Sequence, residues 1–492
     1  MNKSRVSTGI EGLDSILDGG LLERQNALLR GPPGAGKTIF GLHFLAEGVE
    51  QDETSLYINL GEPTEYVRQT AAEFDLHPED IHFHDLSPSD EQFAEDETYS
   101  LFEAADVEQP AFIGSLTDTI QEIDPDRVLL DPITEFRYLT SDERQFRKQI
   151  LGFLDLLKDA DATVLLTSQA AETVSDEDLQ FLTDTVLSLH KHETHRTVEV
   201  SKFRGSSYRD GHHSYAITDE GVSVWPRIRP DRDATADATD ETLSSGVPEL
   251  DQLLEGGITH GTVTFLSGPT GVGKTTTGTQ FLKEAVSQGE SAVMYQFEES
   301  RHTLLQRAEA VNIPIGNLIE DGDLAIEEVP PEAYTLDEFG QMVRTAVEDE
   351  GVDVVMIDGT QGFKQNLRGL GDEPQESLLH LGRYLRSRGV SVIITHEIHN
   401  VTGTFQVTEE GTSNLADTII FLRHVEYQGE MRKVIGTLKM RTSDFERSLR
   451  ELEITEYGLS VGEPLPHLRG ILSGTPEWNE DATGRQSDAG GR

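Results

Sequence analysis

The chain is written twice. The segment Gly31-Pro32-Pro33-Gly34-Ala35-Gly36-Lys37-Thr38 returns 237 residues later as Gly268-Pro269-Thr270-Gly271-Val272-Gly273-Lys274-Thr275. Both copies satisfy G-x-x-x-x-G-K-T. The glycines of such a loop free consecutive backbone N–H groups to wrap phosphates, the lysine reaches the terminal ones, and the threonine hydroxyl is a Mg2+ ligand. Each loop follows a short apolar run, 26–29 or 263–266, and precedes a helical segment. One match to so loose a pattern arises by chance; two in register do not.

The repeat extends beyond the loops and sets the expected domains. Thr8-Gly9-Ile10-Glu11-Gly12-Leu13-Asp14 returns as Ser245-Gly246-Val247-Pro248-Glu249-Leu250-Asp251, Gly19-Gly20 as Gly256-Gly257, and Lys202-Phe203-Arg204 as Lys439-Met440-Arg441. We expect one ATPase module over 1–228, a linker over 229–242, a second module over 243–465, and a disordered tail over 466–492. Apolar runs alternating with helical stretches predict an α/β fold for each module, a mostly parallel central sheet flanked by helices. Module one should place strands at 55–60, 127–130 and 163–168 and helices at 40–49, 114–122 and 143–157. Module two should place strands at 291–297, 352–357 and 391–395. Ligands of such sheets sit beyond the carboxyl ends of the strands.

Several residues there invite chemistry. Asp131 and Asp358 each end an apolar strand and are candidates to hold Mg2+ near the loop threonine, although an Asp in that place also serves simply to cap the next turn. Module two carries Glu298-Glu299 at the end of a strand expected beside the phosphate loop, whereas module one offers Glu62 alone, with Gly61 at the position of Glu298. A carboxylate near a γ-phosphate can orient or deprotonate the attacking water. Lys202 with Arg204, and Lys439 with Arg441, follow β-like runs, so each pair can aim two cations at one anion. With no evident target in their own modules, they suit a neighbouring subunit's phosphates. His190, His192, His195, His396 and His399 read as phosphate sensors, surface residues or caps ahead of metal ligands, and Gln169 is placed to sense a γ-phosphate.

Composition describes the solvent more than the partner. A net charge of −49, from Lys+Arg 40 against Asp+Glu 89, is severe self-repulsion unless molar salt shrinks the Debye length to about 3 Å. This predicts a salt-accumulating halophile. The absence of cysteine excludes disulfides and thiolate metal sites and fits a cytoplasmic chain. Neither a membrane span nor a signal peptide is expected, and the acidic surface argues against diffuse nucleic-acid binding.

The duplication, the opening 8–14, Phe297-Glu298-Glu299-Ser300, Lys202-Phe203-Arg204-Gly205-Ser206-Ser207, and the path from Ala416-Asp417-Thr418 to Gly429-Glu430-Met431 together resemble the KaiC family of clock ATPases and their archaeal relatives, a branch of the RecA superfamily. The resemblance implies tandem RecA-like P-loop NTPase domains, ATP and Mg2+ as cofactors, and a homohexamer of two stacked rings with ATP held between subunits. It assigns phosphate and Mg2+ binding to Lys37, Thr38, Lys274 and Thr275 and catalysis to Glu298, Glu299 and Glu62. Lys202, Arg204, Lys439 and Arg441 would reach the adjacent subunit's ATP. It also implies autophosphorylation at a Ser-Thr pair, which here reads Ser413-Asn414, so that one phosphate on Ser413 is expected, with Thr412 and Thr408 as substitutes. Two function classes stand: a self-assembling ATPase and serine/threonine autokinase that signals to protein partners, and a recombinase-like motor on DNA. For the second, residues 363–368 are the nearest thing to a DNA loop.

Overall fold

The computed structural model describes residues 4–86, 116–139, 143–169, 176–230, 240–369, 373–398, 414–427, 429–442, 444–465, 468–469 and 477–478. The chain divides into two compact units, Met1–Arg227 and Ile228–Arg492, and Ile228 packs against Gly340 within the second.

Among the described residues unit one is built on a main sheet of nine strands: β1 (Asn26–Gly31), β2 (Ser55–Asn59), β3 (His82–Asp85), β4 (Arg127–Asp131), β5 (Thr163–Gln169), β6 (Thr185–Lys191), β7 (Arg196–Phe203), β8 (His212–Thr218) and β9 (Gly221–Trp225). Its spatial order is β9-β8-β7-β6-β1-β5-β4-β2-β3. The six strands from β6 to β3 run parallel, and β7 to β9 extend the sheet antiparallel. Unit two repeats the plan with β10 (Val263–Gly268), β11 (Ala292–Gln296), β12 (Leu324–Glu328), β13 (Val354–Asp358), β14 (Ser391–Glu397), β15 (Thr418–Tyr427), β16 (Glu430–Met440), β17 (Arg450–Thr455) and β18 (Gly458–Pro464). Their order, β12-β11-β13-β14-β10-β15-β16-β17-β18, is the same.

The central strands are apolar without alternation because both faces are covered. Leu129 points into the core on one side of sheet one, and Val128 and Leu130 into the core on the other. Val354 and Met356 are likewise separated from Val355 and Ile357 in sheet two. The expected strands are all present, and β5 and β14 run on to Gln169 and Glu397. The helix expected over 143–157 spans Glu143–Asp159, and the one expected over 114–122 is seen at 116–123.

One placement is corrected. The strand that leads to Glu298-Glu299, β11, does not lie beside the loop-bearing β10, because β14 and β13 stand between them. The first crossover enters the sheet at a distance, and later strands fill the gap. Within the expected tail, Leu468–Arg469 pairs antiparallel with Glu477–Trp478.

The repeated opening motif proves to be architecture. Asp14 accepts hydrogen bonds from Ser7 Oγ, Thr8 N and Thr8 Oγ1 at 2.7–2.8 Å, and Asp251 accepts the matching three from Ser244 and Ser245 at 2.6–2.7 Å. Each motif closes the turn before a short helix, Glu11–Ile16 or Pro248–Leu253.

Candidate nucleotide sites

Each loop joins the central strand to a helix of 14 residues, α1 (Lys37–Glu50) after β1 and α2 (Lys274–Ser287) after β10. The helix N-terminus aims its free N–H groups and the positive end of its dipole at whatever the loop holds, an arrangement suited to phosphate. Gly36 and Gly273 cap these helices at φ 93° and 114°. A side chain at either would be strained, and its Cβ would strike Ile217 or Ile454 at 2.5 or 2.4 Å. Lys37 Nζ lies in the curve of its loop, donating to Gly31 O at 3.0 Å and Pro32 O at 3.2 Å. Lys274 Nζ does the same to Gly268 O at 2.9 Å and Pro269 O at 3.0 Å. Loss of hydration lowers the pKa of both ammonium groups. Asp131 opposes this at Lys37, and Glu397, Glu298 and Asp358 oppose it at Lys274.

The Asp candidates end their strands as expected, each beside its loop threonine. Thr38 Oγ1 donates to Asp131 Oδ2 at 2.7 Å, and Thr275 Oγ1 contacts both Asp358 oxygens at 3.0 and 2.9 Å. Both carboxylates are buried at strand ends. A hydroxyl and a buried carboxylate in contact, beside a phosphate loop, form the oxygen-only donor set that suits Mg2+, which keeps waters and substrate oxygens as its other ligands. Around the loops, Tyr215 Oη donates to Ala35 O at 2.6 Å, Thr270 Oγ1 donates to Glu397, and Val272 is buried in the core. Gly34 and Gly271 share a left-handed backbone at φ 72° and 74°.

The modules diverge at the next shell of contacts. Asp131 also accepts from Tyr57 Oη at 2.8 Å and from Thr167; Asp358 accepts from Thr395 Oγ1 at 2.7 Å, and Met294 stands where module one has Tyr57. Burial raises the Asp358 pKa, against hydrogen bonds from Thr395, Thr275 and Gln296. Glu298 is open to solvent as a residue, yet its carboxylate lies in the crowded mouth of the site. Lost hydration, then Asp358 and Glu397, raise its pKa, and Lys274 opposes them. Glu299 is raised mainly by desolvation and is held by Arg307 at 2.6 Å.

The lone glutamate of module one has a steric explanation. The Glu298 side chain lies against Gly359, where an added Cβ would stand 2.6 Å from Oε1. In module one that glycine is Pro132, and a Cβ on Gly61 would already be 3.1 Å from Pro132 Cδ. Glutamate over glycine has become glycine over proline. Glu62 is exposed, and its backbone O accepts from Asn59 Nδ2 at 2.5 Å.

The Lys-x-Arg pairs are corrected in one respect, since they do have targets in their own modules. Lys202 Nζ donates to Gln180 O at 2.7 Å and to Thr183 O, and Arg204 pairs with Asp184 at 3.5 Å. Lys439 Nζ donates to Ala416 O at 2.6 Å, and Arg441 reaches Asn414 O at 3.2 Å and Asp417 at 3.6 Å. The cause is a bulge in each strand, at Ser201 in β7 and Leu438 in β16, which shifts the register and re-aims the side chains that follow.

Sequence reasoning passed over two loop neighbours. Lys191 ends β6, and its Nζ would lie 3.7 Å from a Cβ on Gly34. The register-matched residue of β15 is His424, whose pKa is lowered by desolvation and by Lys433 and Lys274, against a backbone hydrogen bond with Thr270. Their signal was strand register, invisible to a constant 237-residue offset. Gln169 pairs in register with Gly31, and Glu397 with Gly268, so both border a loop. His396 is buried and its Nδ1 contacts Thr360 Oγ1 at 2.9 Å. The 363–368 stretch is no DNA loop. It falls mostly in the helix Thr360–Asn366, Phe363 is 1% exposed among Phe297 and Phe339, and Arg368 bonds to Ala333 O. His399, Thr408, Thr412 and Ser413 lie outside the described residues.

The family model "ATPase: KaiC" matches the chain twice, at residues 6–229 and 243–465. The chain is 27% identical over 491 residues to the circadian clock protein KaiC3 of Synechocystis sp., covering 96% of this chain and 94% of that one. It is 27% identical to the circadian clock oscillator protein KaiC of Prochlorococcus marinus, covering 97% and 96%. The KaiC of Thermosynechococcus vestitus is also 27% identical, with 96% and 92% covered. No described helix is long and apolar enough to cross a membrane.

Proposed function

The chain belongs to the KaiC family of ATPases, as two tandem RecA-like domains, and from that premise we propose a ring-forming ATPase that binds ATP with Mg2+ at both loops and cleaves it chiefly in module two. The observation that carries this reading is the twofold Lys-Thr-Asp constellation, Lys37-Thr38-Asp131 and Lys274-Thr275-Asp358, in two matching sheets. Among the described residues, only the second copy has a pair of carboxylates, Glu298 and Glu299, at its mouth. Mg2+, held by the threonine hydroxyl and the buried aspartate, would neutralise charge on the phosphate oxygens. The loop N–H groups and lysine position the phosphates. Glu298, whose raised pKa makes it a stronger base than an ordinary carboxylate, accepts the proton of the attacking water.

The finer reading is a homohexamer in a high-salt cytoplasm, as in a halophilic archaeon, that phosphorylates itself once, on Ser413, and signals to protein partners. Support for this comes from the family resemblance and from Ser413 preceding Asn414, whose carbonyl holds Arg441. A recombinase-like role on DNA is not favoured, given the buried Phe363 and the net charge of −49.

The test is to incubate the full chain with ATP and Mg2+ at high salt, then measure turnover, light scattering and peptide masses. Turnover by a hexamer with one phosphate on Ser413, absent in Ser413→Ala, is expected. No turnover refutes the ATPase reading; turnover by a monomer refutes the ring; turnover without a phosphopeptide over 408–413 refutes the autokinase alone.

A further inference from the structure

We propose that module one carries a second metal site, for a divalent transition ion of the Zn2+ class, formed by His190, Glu199 and His212 on three adjacent strands and separate from the nucleotide. Glu199 of β7 stands directly opposite His212 of β8. His190 of β6 stands opposite Thr197 and so, two residues along, shares its face with Glu199. One ligand atom from each residue lies within 4.8 Å of the other two. Tetrahedral Zn2+, with bonds of about 2.0–2.2 Å, asks for separations of roughly 3.3–3.6 Å. The closing movement is therefore about an ångström or more, shared among flexible side chains.

The cluster holds a buried nitrogen without a hydrogen bond. His190 Nε2 is sealed from solvent and makes no hydrogen bond; the nearest Glu199 oxygen is 3.7 Å away. The His190 and His212 rings meet edge to face at 5.0 Å. Two imidazole nitrogens and one carboxylate suit Zn2+, Co2+ or Ni2+ and select against Mg2+. His212 is exposed, which leaves room for water as a fourth ligand.

The fold does not demand this cluster. At the register-matched places module two has Arg423, Gly436 and Leu449. The site also has a lever. Lys191, next along β6, points from the other face toward Gly34 of the phosphate loop, so a metal that pins His190 fixes the strand end bordering the nucleotide.

The experiment uses the full chain, stripped with chelator, free of nucleotide and in excess Mg2+. Titration with Co2+ should give one equivalent per chain with visible d–d absorption, displaced by Zn2+. His190→Ala with His212→Ala should weaken Co2+ binding at least about 100-fold, more than the about 10- to 100-fold typical of losing a supporting partner, and ATP binding should persist. Should the double variant not fold by circular dichroism, His212→Gln at the exposed position must still weaken Co2+ at least about 10-fold. Absence of saturable Co2+ binding, unchanged affinity in these variants, or loss only with His192→Ala and His195→Ala would overturn the proposal.

Discussion

Replacing Gly359 with alanine isolates the role of Glu298 without touching a charge. The residue adopts φ 108°, and an added Cβ would lie 2.6 Å from Glu298 Oε1 and 2.8 Å from its Cγ. The carboxylate must move. The backbone cost of a side chain in the left-handed region is about 1–2 kcal/mol, too little to unfold a domain of ordinary stability. If Glu298 activates water, its displacement should cost module-two turnover about 10²- to 10⁴-fold, or about 2.7–5.5 kcal/mol at 1.36 kcal/mol per decade. ATP binding should hold, because Lys274 and the loop are unchanged. The assay is single-turnover phosphate release with nucleotide binding, in a chain whose first module is silenced by Lys37→Ala. Glu298→Gln should match the alanine variant, and the double variant should be no slower than the slower single, since both remove one contribution. Losses that multiply in the double variant, or ATP binding that falls in step with turnover, would refute the steric route through Glu298.

The raised Glu298 pKa has a consequence for stability. A carboxylate whose folded pKa exceeds its unfolded one contributes stability at low pH that is lost as pH rises through the folded value, so ionised Glu298 costs stability at neutral pH. Glu298→Gln should therefore raise the melting temperature of the nucleotide-free chain at pH 7 and not at pH 4; a fall at pH 7 would contradict the sign. The acid limb of module-two turnover should lie above about 4.3, the usual glutamate value, and vanish with Glu298→Gln. Arg127 is fully buried, bonded to Glu53, to Ser7 O at 2.6 Å and to Phe44 O at 2.9 Å; Arg127→Met should destabilise module one by about 3–5 kcal/mol in denaturant melts. Tyr57→Phe should leave ATP bound in module one but weaken Mg2+ dependence, since Asp131 loses one of its hydrogen-bond donors.

The spacing of 237 made the loops and the domain count legible, and the apolar runs that stop at Asp131 and Asp358 made both strand-end aspartates legible, because each follows from a local rule: glycine where the backbone turns left, carboxylate where an apolar strand stops. The opening motif was legible as a repeat but not as a closure, since only coordinates show Asp14 and Asp251 gathering their own hydroxyls. Strand order was not legible at all. Periodicity says that Ala292–Gln296 is a strand and says nothing of the two strands inserted between it and the loop. The missing glutamate at Gly61 was visible, but its cause was not, because Pro132 lies 71 residues further along the sequence.

Lys439 and Arg441 pose the sharpest question, because the bulge at Leu438 aims them at their own module. To reach a neighbour's ATP, Arg441 must leave Asn414 O and Asp417, and Lys439 must leave Ala416 O. A hydrogen bond to a charged group contributes about 1.5–3 kcal/mol, and one to a phosphate oxygen is of the same order. Exchange of one set for the other would be close to balanced, so that in the proposed ring ATP at an adjoining subunit would be enough to tip it. Module one has the same choice at Asp184 and Thr183. The expected outcome is complementation: a Lys274→Ala chain mixed with an Arg441→Ala chain should regain part of module-two hydrolysis, because some interfaces join an intact loop to an intact arginine. Each chain alone should be nearly inactive in that module. If Arg441 serves only to anchor Asn414 and Asp417 in its own fold, an assembled mixture will show no rescue, and Arg441→Ala will lower the melting temperature without ATP as much as with it.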